Sequence, residues 1–184
     1  MPLEDQSCLV IEVAPGMSIN VVTDIVLKET DVVPGAQIVE RAYGSLELLS
    51  HDQGMVKAAS DAILKYYSMS LEDRLAPRIV SQQIINGVEN YQAMLIDRVR
   101  YGSMIVKNDT MLVLECHPAG YAAFACNEAE KAANITIVDM RFFGAFGRLW
   151  LCGEEEEINQ AAAAIAAALQ SVKGRENPGQ SLVY

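Results

Sequence analysis

The chain has 184 residues, about half of them apolar, and its 14 basic against 24 acidic side chains give a formal charge of −10. Such a charge repels phosphate backbones and anionic membrane surfaces, which argues against nucleic acid or a membrane as partner. No uncharged apolar run reaches the ~18–20 residues that cross a bilayer, and the opening "MPLEDQSC" has neither a basic region nor a signal core, so a soluble, cytoplasmic protein is expected.

In chain order, a short apolar strand (9–14) ends at Pro15, and a helix of about four turns (17–30) follows with Lys28 near its end, where a cation suits the helix dipole. A strand (32–41), a glycine-bearing turn and the strand "SLELLS" lead to a second helix, "DQGMVKAASDAILKYY". The stretch 68–110 is assigned to the end of this first unit and the link beyond it. Within it "PRIVSQQIING" patterns as a strand and "VENYQAMLIDRV" as a helix whose apolar face is Tyr91, Met94 and Leu95.

The order then recurs: strand 111–116 ending at Pro118, helix 119–133 with Lys131 near its end, strand 135–143, a glycine-bearing turn, the strand "RLWLC" and the helix "EEEEINQAAAAIAAALQSV". After it only "KGRENPGQSLVY" remains, so the closing strand of this unit is expected to be short or missing and 174–179 to be a turn or a mobile tail.

Residues 8–32 and 111–135 register without a gap at an offset of 103. Leu9/Leu112, Val10/Val113, Glu12/Glu115, Pro15/Pro118 and Lys28/Lys131 are identical. The frame continues through Ala42/Ala145, Gly44/Gly147, Leu46/Leu149, Leu48/Leu151, Ala58/Ala161 and Ala59/Ala162. Matched Glu, Pro, Lys and Gly in one ungapped frame indicate two copies of a ~90–100-residue unit rather than chance agreement of Leu- and Ala-rich segments. Domains at 1–104 and 105–184 are expected. The fold class is α+β, a largely antiparallel sheet with helices packed on it, in two ferredoxin-like variants.

Two features invite a chemical reading. Cys116 and His117 stand side by side, but adjacent strand residues point to opposite faces and cannot readily pair as thiolate and imidazolium. The first copy also writes "LVIEVAP" where the second has "LVLECHP". Cys116 is therefore expected to be a small buried residue and His117 a polar residue at the turn into the helix. The run Glu154–Glu157 could suggest a cation site, but four acids opening a helix are more simply a first turn that complements its positive end. Cys8, Cys116, Cys126 and Cys152 show no CxxC spacing and sit in apolar settings, as reduced buried thiols do. No enzyme, cofactor or metal is expected.

Three features together resemble the bacterial microcompartment shell domain. First-strand Glu and helix-end Lys lie sixteen residues apart in both copies (Glu12 and Lys28; Glu115 and Lys131), "EKAANI" is similar to that family's "LKAANV", and the glycine-bearing turns fall where its pore loop lies. The resemblance covers about 8–100 and 111–172. A two-copy chain is similar to the tandem shell proteins, in which three chains form a six-domain tile. It implies a homotrimer that packs against other shell proteins in a microcompartment shell, with a central pore passing small polar metabolites. It also implies pore turns at Arg41, Ala42, Tyr43, Gly44 and Ser45, and at Gly144, Ala145, Phe146, Gly147 and Arg148. Lys28 and Lys131 match the lysine that meets its counterpart across tile edges. Tyr43 and Phe146 replace small residues of the family loop and either narrow the opening or fold back into the core. Gly44 and Gly147 are read as tight-turn residues needing positive φ. Some tandem members hold an iron–sulfur cluster through a pore-loop cysteine; neither turn here has one, so no cluster is expected. The competing reading is a trimeric small-molecule-binding regulator of ferredoxin-like units.

Overall fold

The computed structural model describes residues 5–178. The chain divides into two compact units: one runs through Arg74 and also takes in Phe143–Ala145, and the other comprises Leu75–Phe142 and the chain from Phe146 onward.

In the first unit, β1 (Ser7–Val13) leads through one 3-10 turn (Gly16–Ser18) into α1 (Ile19–Glu29), followed by β2 (Val33–Glu40), β3 (Tyr43–Ser50) and α2 (Gln53–Tyr66). The three strands form an antiparallel sheet in the order β1-β3-β2. The central strand β3 is buried continuously from Gly44 to Leu49. Ile19, Val22 and Val26 recur at helical spacing on α1 and pack with Leu46 and Leu48 of β3 and Ala59 and Ile63 of α2, a single core. Asp52 caps α2, its carboxylate accepting from the Gly54 N–H at 2.7 Å.

The second unit runs β4 (Arg78–Ile85), α3 (Asn90–Asp97), β5 (Thr110–His117), α4 (Tyr121–Ala132), β6 (Thr136–Arg141), β7 (Gly147–Gly153) and α5 (Glu155–Ser171). Its antiparallel sheet has the order β4-β5-β7-β6. Leu112, Leu114, Leu149 and Leu151 pack on one face against the alanines of α4 and against Ile158, Ala161, Ile165 and Leu169 of α5. Small residues on both helices let their backbones approach closely. The other face is covered in part by α3, with Val88, Ala93, Ile105, Met111, Val138 and Cys152 in a second cluster.

From β1 to α2, each element recurs about 103 residues later, from β5 to α5, as the repeat requires. The expected boundary at 104/105 does not hold. The strand at 78–85 pairs with β5, so the division falls at Arg74/Leu75, because strand pairing decides which unit a segment completes. After α5 the described residues hold only an isolated bridge at Arg175, so the closing strand is missing there as expected. It stands at the front of its unit as β4, a permuted order. The tail is tied down as far as it is described: the Ala76 N–H donates to the Arg175 carbonyl at 2.9 Å, and the Asn177 amide donates to the carbonyls of Ala76 and His117. Position 179 of the expected mobile tail lies outside the described residues. On α3 the named apolar face points outward, with Tyr91 80% and Leu95 62% exposed, whereas Ala93 is buried and Ile96 packs on the cluster beneath. No helix among the described residues is long and apolar enough to cross a membrane.

Candidate functional site

The turns between β2 and β3 and between β6 and β7 are built alike but not at the residues expected. Positive φ falls at Arg41 (54°) and at Gly144 (93°), which are 103 residues apart, so each turn passes through the left-handed region at its first position. Gly44 and Gly147 lie in β3 and β7 without positive φ. Their lack of a side chain has another cause. A Cβ on Gly44 would collide with the Gly16 carbonyl and sit 2.8 Å from the Ile19 Cβ; on Gly147 it would collide with the Ala119 carbonyl and sit 2.8 Å from the Ala122 Cβ. In both units the start of the first long helix rests directly on strand backbone, and only glycine leaves room for it.

Within the first turn Arg41 and Ala42 are exposed, Tyr43 is half-buried, and Gly44 and Ser45 are buried in β3. In the second, Ala145 and Phe146 are half-buried, Gly144 and Gly147 are buried, and Arg148 is exposed. Residues Phe143–Ala145 belong to the first unit, where the Gly144 Cα lies close enough to Glu40 that an added Cβ would stand 3.2 Å from the carboxylate. The first position of the second turn therefore lies beside Glu40 within the first unit, and the repeat gave no pointer to Glu40, since its counterpart is Phe143. Phe146 turns back on its own unit and meets the His117 ring edge to face at 6.2 Å.

Arg148 is held by the repeated Glu115, its Nε donating to Oε1 at 3.0 Å, while the Ser81 hydroxyl reaches the other carboxylate oxygen at 3.5 Å. Lys28 and Lys131 occupy the last turns of α1 and α4 as read from sequence. Each pairs along its own helix, with Asp24 at 2.7 Å and Glu128 at 2.8 Å, and both remain largely exposed. The acidic run also acts locally: Glu157 accepts from the Asn134 N–H at 2.6 Å and Glu155 from the Asn86 amide at 2.8 Å, both in the first turn of α5. Among the described residues no group of three or more His, Cys, Asp or Glu is placed to hold a metal.

Cys116 is fully buried in β5, and burial and nearby carboxylates push the thiols of Cys126 and Cys152 up to about 12. Cys8 departs from the expectation. It is exposed, with its thiol 3.8 Å from the Glu47 carboxylate and pushed up to about 11 by partial burial and that charge. His117 is half-buried, its Nδ1 donating to the Asn177 carbonyl oxygen at 3.1 Å; burial, aided by the Arg78 charge, holds it below the usual imidazole value against the opposing pull of that hydrogen bond. The Cys116 thiol donates to the Pro118 carbonyl at 3.8 Å.

Among proteins of known role, the chain is 48% identical over 169 residues to the carboxysome shell protein CcmP of Synechococcus elongatus, covering 92% of this chain and 79% of that one. It is 44% identical to the carboxysome shell protein CsoS1D of Hydrogenovibrio crunogenus, covering 95% and 86%. The chain belongs to the tandem-domain bacterial microcompartment shell proteins. The family model for the CsoS1D N-terminal domain matches residues 1–73. A fused permuted hexameric shell protein of the RMM microcompartment superposes with a TM-score of 0.90 at 42% identity, over 95% of this chain and 86% of that chain. A double-ringed trimeric shell protein of the same microcompartment gives 0.92 at 37%, over 96% and 88%. As a shell protein the chain is a structural tile of a microcompartment wall, and the relatives it resembles are structural components rather than enzymes.

Proposed function

We infer that three copies of this chain close into a pseudohexameric tile whose central opening is ringed by Arg41 and Ala42 from the first turn and Gly144 and Ala145 from the second. Small polar metabolites cross the shell there. The observation that carries this reading is the approach of Gly144 to Glu40, the residue before Arg41, which brings the first positions of both turns to one place within the first unit. Arg41 supports it separately. A non-glycine residue at φ 54° costs about 1 kcal/mol, and glycine holds the equivalent place in the other turn, so the guanidinium is retained against a local cost. Three Arg41 and three Glu40 around the axis give a rim of alternating charge that suits small polar or anionic solutes.

Beside the rim residues, Gly44 and Ser45 are buried in β3 next to half-buried Tyr43; in the second unit Gly147 is buried in β7, next to Phe146, folded back on that unit, and exposed Arg148. Lys28 and Lys131, exposed at equivalent helix ends, meet neighbouring shell proteins at the tile edges. Native mass spectrometry tests the assembly: the dominant species carries three times the chain mass of 20.1 kDa. A stable monomer overturns the tile. Arg41→Glu, with the trimer intact, should change the passage of a small anion through assembled shells by several-fold; unchanged flux would place the opening elsewhere.

A further inference from the structure

His117, the histidine of "LVLECHP", takes no part in the rim, yet in the second unit it sits where the entry to β4, the end of β5 and the chain leaving α5 converge. Asn177 donates through its amide nitrogen to the carbonyls of Ala76 at 2.8 Å and His117 at 2.9 Å. Those two bonds fix which way round the amide stands, so its oxygen is the group 3.1 Å from His117 Nδ1, and that nitrogen carries the proton. The segment after α5 thereby sets both the tautomer and the plane of the ring. Cys116 and Gly147 are partners in the β5–β7 ladder, which sets His117 and Phe146 side by side at its end. There the imidazole meets Phe146, the residue on which the second turn enters β7, edge to face with centroids 6.2 Å apart. The repeat frame has Ala14, Tyr43 and Arg74 in the places of His117, Phe146 and Asn177. Ala14 has neither a ring nor a side-chain donor, so this relay serves the second turn alone.

We propose that Asn177 is a positioning residue for the second turn, acting through the His117 ring on Phe146, so that the segment after α5 holds one of the two turns and leaves the other independent. The hold stands on these contacts; only its effect on passage rests on the reading of Gly144 and Ala145 as rim residues. Gly144 lies at φ 93°, where glycine is least constrained, and Ala145 carries a single methyl group, so neither fixes the course of the chain by packing. Phe146 is the first side chain after them large enough to do so. An edge-to-face contact depends on the orientation of both rings, because the positive edge of one must meet the negative face of the other. Without the Asn177 amide the imidazole is free to turn about χ2, whose profile is broad, and the contact that anchors Phe146 loses its fixed geometry. In a trimeric tile three of six turns carry this hold.

The test is Asn177→Ala in the full chain, which removes the bonds to Ala76 and His117 together. Amide hydrogen exchange at 144–148 rises about five- to tenfold, the size of a lost hydrogen bond read as local opening, while exchange at 41–45 keeps the wild-type rate. Nitrogen NMR of the imidazole shows His117 leaving its fixed Nδ1–H tautomer. The path through Phe146 is read in a double-mutant cycle: in the Phe146→Ala background, Asn177→Ala no longer changes exchange at 144–148. Unchanged exchange at 144–148 in a folded Asn177→Ala chain overturns the proposal. So does an equal rise throughout the second unit, or an undiminished effect of Asn177→Ala without the Phe146 ring. Passage of a small anion through assembled shells separates the two readings: exchange that rises with no change in passage upholds the hold and removes the second turn from the opening.

Discussion

Replacing Gly147 by alanine adds one methyl group where the chain has no space for it. The new Cβ would fall on the Ala119 carbonyl, 2.8 Å from the Ala122 Cβ and 3.0 Å from the Ala119 carbonyl carbon. None of these atoms ends a flexible side chain, so relief requires α4 to lift off β7 at its first turn, opening the packing of Ala122 on Leu149. Overpacking of this sort costs about 1–3 kcal/mol, and rigid backbone neighbours place this case at the upper end. At a few degrees per kcal/mol for domains of this size, the thermal midpoint falls by roughly 5–15 °C. Circular dichroism melts of three variants isolate the cause. Gly153→Ala, whose nearest neighbours would be at 3.6 and 3.9 Å, leaves the midpoint unchanged. Gly87→Ala, in open space at φ 62°, loses only the ~1 kcal/mol of left-handed backbone. The reasoning fails if Gly147→Ala melts within a degree of the wild type, or if Gly87→Ala is the more damaging change.

Because burial holds His117 below its ordinary value, the unfolded chain takes up the proton first on acidification. Stability is therefore fully present above about pH 6.5 and declines as pH falls through the folded value. Urea midpoints at pH 7.5 and 5.0 should differ more in the wild type than in His117→Gln, and equal differences would assign the acid sensitivity elsewhere. Leu112→Ala, at a fully buried site, costs about 2–5 kcal/mol, whereas Leu9→Ala at the half-exposed equivalent costs clearly less. Equal losses in chemical denaturation would mean that β1 is covered in solution.

The repeat made most of the elements legible because its ungapped frame carries strand, proline, helix and turn together. Leu46/Leu149 and Leu48/Leu151 sit in equivalent cores, and the paired Lys28 and Lys131 end equivalent helices. Ownership of β4 was not legible, since alternation in "RIVSQQII" marks a strand without saying which strand it pairs with. Periodicity on α3 failed for a related reason. Ala93, too small to stand out, carries the contact, while Tyr91 and Leu95 dominate the pattern and face outward. For Gly44 and Gly147 the residue type was informative and its cause ambiguous, because the same letter serves positive φ and close approach alike. The placement of Gly144 beside Glu40 depends on tertiary structure that no local signal encodes.

In the second unit the segment entering β4 lies beside the segment leaving α5. Leu75 and Arg175 form a parallel bridge, and the Ala76 N–H donates to the Arg175 carbonyl. A module whose entry and exit touch can be duplicated, spliced into a host loop, or reopened at another point without rerouting its interior. Permutation then amounts to choosing which of several neighbouring gaps is left unsealed, and β4 standing first or last in sequence leaves the same sheet. The second unit is in that sense a closed circuit, free to be cut where its surface permits.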